Sequence, residues 1–130
     1  MALIATTTVE SKTGYAQKIE SAGHHLTADE GTAAGGTDTG PAPYGLLLAA
    51  LGACTSITLR MYADRKSWPL GDIHVSLRHQ KSEAGDQIER EIRFGAALSD
   101  EQRTRLAEIA EKTPVTKTIK AGASISTTLV

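Results

Sequence analysis

The chain has 130 residues, 14 basic against 15 acidic, a hydrophobic share of 40% and a single cysteine. That length supports one domain, residues 1–130, with one modest core; the near-cancelling charge leaves no footprint for nucleic acid or anionic membrane surfaces, so neither is expected as a partner. One cysteine cannot close an internal disulfide, and the start of the chain has no charged n-region or small-residue cleavage site, which points to the cytoplasm.

In chain order, Leu3 to Glu10 is rich in Thr, Val and Ile, and Tyr15 to Ser21 alternates loosely across the turn residues Lys12-Thr13-Gly14, which predicts a hairpin. His24 to Asp29 adds a third strand, and residues 31–43, with four Gly and two Pro, form a loop. From Pro43 the pattern changes to good helix formers that close on basic residues, predicting a long helix that Trp68-Pro69 stops. Asp72 to His79 places Ile73, Val75 and Leu77 on one face of a strand; Glu83 to Asp86 turns, and Ile88, Arg90, Ile92 and Phe94 continue a partner strand. Ser99 with Gln102 reads as a capping box opening a second helix, which Thr113-Pro114 ends. Ala123 to Val130 reads as a final β-branched strand. The class is α+β.

At 100° per residue, Leu47, Ala50, Leu51, Thr58 and Met61 share the Cys54 face of the long helix, while Ala49, Gly52, Ser56, Leu59 and Ala63 occupy the other side. Both faces are apolar or small, which predicts an enclosed helix, sandwiched within the monomer or by a second chain. Arg60, Asp64, Arg65 and Lys66 shorten the apolar run below the roughly 17 to 25 residues a bilayer needs. No metal site is expected: His24 and His25 are adjacent strand residues, and His74 and His79 fall on opposite faces by parity.

The segment GPAPYGLLLAALGACTSITLRMYADRKSWPL resembles the central helix of OsmC/Ohr-like proteins, relatives of thiol peroxidases, and GHHLTADE, GGTDTGP and EIAEKTPVTKTI follow the family order. The resemblance implies an OsmC-like fold in an intertwined homodimer, two long helices being wrapped by sheets of both subunits. It implies reduction of small organic hydroperoxides without a cofactor. Cys54, eleven residues after Pro43, falls on the position of the peroxidatic cysteine. Tyr44, Leu51 and Thr113 are candidates for lining its pocket.

The chain departs from the family in two places. Thr113 and Thr116 stand where the family pattern Lys-Cys-Pro-Val-His has Cys and His, so no intrachain disulfide resolves a sulfenic acid and an external thiol reductant is implied. Tyr44 and Gly45 stand where the family carries an acid. No arginine is evident for the thiolate: Arg60 lies about 120° from Cys54 around the helix, and Lys12 is the substitute candidate. A second reading of the sequence is a non-catalytic dimeric module that binds a lipid-like or aromatic ligand in an apolar interface pocket.

Overall fold

The computed structural model describes residues 1–130. Its contacts divide the chain into two compact units, Met1–Leu47 and Leu48–Val130.

In the first unit, β1 (Thr7–Glu10), β2 (Gln17–Ser21) and β3 (His24–Ala28) form an antiparallel sheet in the order β1-β2-β3. Ile19 faces Val9 on one side and Leu26 on the other. The glycine-rich loop that follows contains a short 3-10 helix, Thr32–Ala34. The Asp29 carboxylate, 2% exposed, organises this loop. It accepts from the hydroxyls of Thr37 and Thr39 at 2.7 Å each, from both their backbone amides, and from Glu30 N. These hydroxyls, Thr39 first, stabilise the ionised form and hold the carboxyl well below the usual carboxylate range. Gly40 passes so close to β3 that a Cβ there would stand 2.2 Å from the Thr27 carbonyl oxygen, so only glycine fits.

The second unit is built on α1 (Pro43–Lys66), whose first turns belong to the first. The helix ends in a Schellman motif: Ser67 takes φ 56°, Trp68 N bonds Ala63 O at 2.8 Å, and Ser67 N bonds Asp64 O at 3.2 Å. The hydrophobic contact that accompanies such a cap is the edge-on pair of Trp68 and Tyr62, centroids 5.6 Å apart. β4 (Ile73–Ser82) and β5 (Gly85–Phe94) form the predicted second hairpin around Glu83-Ala84. Gly52 lets α1 approach β4, since a Cβ there would meet Leu77 Cδ1 at 2.9 Å. The capping box of α2 (Asp100–Ala110) is formed as the sequence predicts, Gln102 N donating to Ser99 Oγ and Ser99 N to Gln102 Oε1. The core gathers Leu59, Ala63, Leu70, Leu106 and Ala110, flanked by Ile73, Ile92 and Phe94; each fully buried leucine contributes about 2 kcal/mol.

Three expectations change. Thr113-Pro114 does not merely end α2. It opens α3 (Pro114–Ala121), with Thr113 as N-cap and Pro114 at a position where its missing N–H costs nothing. The C-terminal strand is not formed: residues 122–130 join neither sheet, because β-branched composition makes a strand only where a ladder partner stands beside it, and Ile125, Leu129 and Val130 are exposed. Finally, within the single chain α1 is enclosed on one side only, so of the two expected forms of enclosure it is the one within the monomer that changes. Leu51, Thr55, Leu59 and Ala63 are buried, while Ile57 and Met61 are 54% and 56% exposed. By length and composition alone this helix is apolar enough to cross a bilayer, so run length does not exclude that; Leu59 and Ala63, wholly buried in the core, make its second half a core helix.

Candidate functional site

Cys54 precedes the core residues Leu59 and Ala63 in α1 and lies on the boundary between the buried and open sides of that helix. The alternation explains this placement: Thr55 turns 100° inward to full burial, Ala53 turns outward, and Cys54 between them is half-buried. Its sulfur has one polar neighbour, Thr58 Oγ1 one turn on, at 4.0 Å. Ala50, Ile57 and Met61 extend the exposed apolar surface beside it. A thiol so placed is reachable by a solute that prefers apolar surroundings.

The residue after Cys54 is tied to an arginine that the sequence reading missed. Arg90, on β5, is the only arginine or lysine in the chain that is not exposed, its side chain being 12% accessible. Nη1 donates to Thr55 Oγ1 and to Thr116 Oγ1, each at 2.9 Å, and Nη2 donates to the Ala110 carbonyl at 2.9 Å. Glu111 Oε1 lies 3.9 Å from Nη2. Glu111 is itself bonded to Lys120 at 2.6 Å, which is the leading cause of its lowered pKa. Thr113, Thr116 and Thr55 are buried, and Thr113 Oγ1 is 2.6 Å from Thr116 Oγ1. One guanidinium thus joins α1, the end of α2 and the first turn of α3. The signal was available: Arg90 falls by parity between Ile88 and Ile92 on the apolar face of β5, and a lone cation there needs partners.

The other sequence-derived candidates fall in both units. Leu51 is buried on the core side, its carbonyl accepting from Thr55 Oγ1 at 2.7 Å. Thr113 is fully buried and caps α3. Tyr44 is exposed in the first turn of α1, and Lys12 pairs with Glu10 at 3.7 Å in the first hairpin. Arg60 donates to Gly71 O at 2.8 Å, a bond that ties the helix to the loop before β4. At Gly45 a Cβ would meet only Pro41 Cβ, at 3.6 Å, so the backbone leaves room for the side chain the family carries there. No cluster of three metal-type ligands is present.

The family model described as OsmC-like protein matches residues 36–128, a span that contains Cys54, Arg90 and Thr113. This chain belongs to the OsmC-like family. Among solved structures, the OsmC-like protein of Mycoplasma pneumoniae is 17% identical over 92% of this chain and 89% of that one, with a TM-score of 0.73. An organic hydroperoxide resistance protein OsmC from Legionella pneumophila is 16% identical, covering 92% and 91%, at 0.67. The organic hydroperoxide resistance protein OhrB of Bacillus subtilis is 23% identical, covering 91% of each chain, at 0.62. These likenesses establish the OsmC-like fold. No curated protein sequence matches the chain.

Proposed function

We propose that this OsmC-like protein is a one-cysteine hydroperoxide reductase: a single-domain, cytoplasmic homodimer that reduces organic hydroperoxides at Cys54 and is recycled by an external thiol. The observation that carries this reading is the half-buried Cys54 at the edge of an exposed apolar helix face, in a family whose solved relatives include organic hydroperoxide resistance proteins.

In the first step the thiolate sulfur attacks the distal oxygen of R–O–OH. The O–O bond breaks, the sulfur is oxidised to a sulfenic acid, and the alkoxide leaves as ROH after taking the proton released by the thiol. Thr113 offers no sulfur for an intrachain disulfide. An external thiol therefore attacks the sulfenic sulfur, releasing water and leaving a mixed disulfide, and a second thiol frees Cys54 as the external disulfide departs. Thr58 supplies a hydroxyl near the sulfur, and Arg90 fixes the next helix position through Thr55.

One observation favours the non-catalytic binding module. No cation bonds to Cys54, and the half-buried Arg90 guanidinium is engaged by Thr55, Thr116 and Ala110. Treatment with one equivalent of cumene hydroperoxide in the presence of dimedone decides between them. The enzyme reading requires a dimedone adduct on Cys54 by mass spectrometry; an unmodified thiol after excess peroxide supports the binding module.

A further inference from the structure

The outer face of the β4–β5 hairpin carries a cluster that has no part in the Cys54 chemistry. A polar concavity of about 220 Å³ opens there between β5 and α2. His74 and Arg93 stand directly across the ladder from each other, and Arg103 reaches the same cavity from α2. All three are exposed, and neither arginine side chain has an ion pair or a hydrogen bond. Arg90, Arg60 and Arg105 are each engaged, whereas Arg65 and Arg78 are unpaired like Arg93 and Arg103 but do not line this cavity.

The backbone adds donors. Gly95 N bonds Asp72 O at 2.8 Å, in register with the hairpin, so the alternation of an antiparallel pair turns the amides of Ile92 and Phe94 to the free edge of β5. Both residues line the cavity. Two arginines and two residues whose amides lie on the strand edge therefore line one small polar space, with Glu91 as its single carboxylate. An excess of donors and positive charge of this kind complements an oxyanion, and guanidinium forks match phosphate and carboxylate geometry in particular.

We propose that this concavity is a binding site for a small oxyanion of phosphate size. The ligand's oxygens accept from Arg93 and Arg103 and from the edge amides. The site is independent of whether Cys54 is catalytic.

The test is an amide-resolved NMR titration of the full-length protein with sodium phosphate, with sodium acetate, and with sodium chloride at matched ionic strength. Saturable shifts of the Ile92 and Phe94 amides with phosphate are expected, and Arg93→Gln or Arg103→Gln should each weaken binding about tenfold. Saturation with acetate but not phosphate would also support an oxyanion site, and would narrow it to carboxylates. Shifts equal to those caused by chloride, or affinity unchanged in both variants, would overturn the proposal. Since both side chains are exposed and unpaired, the variants should keep the parent melting temperature and remain readable.

Discussion

Arg90 Nη1 donates to Thr55 Oγ1 across 2.9 Å, and Thr55 is the residue that follows Cys54 in α1. The same nitrogen reaches Thr116, and Thr113 stands 2.6 Å beyond it. The two family departures in this segment are thus threonines joined, directly or through each other, to one half-buried cation. Where the family resemblance implies a redox junction between cysteines, this chain has a hydrogen-bonded clamp.

Removing the guanidinium should cost stability. Arg90→Met keeps length and apolar bulk but leaves Thr55, Thr116 and the Ala110 carbonyl without their charged donor, a loss of about 3 kcal/mol. Urea denaturation measures it. A change below about 1 kcal/mol would mean that the clamp holds little.

Thr113→Cys should convert the clamp back into a redox pair. Thr113 is linked to Thr55, the neighbour of Cys54, through Thr116 and Arg90 in contacts of 2.6, 2.9 and 2.9 Å. After stoichiometric peroxide the variant is expected to show an intrachain disulfide on a non-reducing gel, while the parent shows none. Failure to form the bond would place position 113 out of reach of the sulfur.

Asp29 predicts an acid limb in the stability profile. Its folded-state pKa is depressed, chiefly by the hydroxyls of Thr39 and Thr37, so its contribution is fully present above the unfolded value of ~3.9 and is lost as pH falls below that value toward the folded one. Melting temperature between pH 6 and pH 2 should therefore fall in the parent. Asp29→Asn should start lower at neutral pH and lose less on acidification. Parallel curves would remove Asp29 as the cause.

The open side of α1 is the expected dimer surface, with Ile57 and Met61 more than half exposed. The parent should sediment as a dimer and Ile57→Glu should shift the equilibrium toward monomer. A parent that is a stable folded monomer would contradict the intertwined architecture.

Much of this was legible in the sequence because it rests on local chemistry. Ser99 and Gln102 announce a capping box, alternation from Ile73 to Phe94 announces a hairpin, and Pro43 announces a helix start. What was missed depends on tertiary partners or on signals with two meanings. Pro114 reads equally as a stop for α2 and as the first residue of α3. Ala123 to Val130 has strand composition, but no strand lies beside it. Arg90 was in plain view on the apolar parity of β5, yet its partners come from residues 35 earlier and up to 26 later in the chain, a closure that only the fold reveals.

The most direct test of the central claim is the rate of cumene hydroperoxide consumption by the purified protein with dithiothreitol, compared with Cys54→Ser. Rapid, catalytic peroxide loss in the parent and only the uncatalysed background in Cys54→Ser is the predicted result. Equal rates in the two proteins would contradict a peroxidase at Cys54.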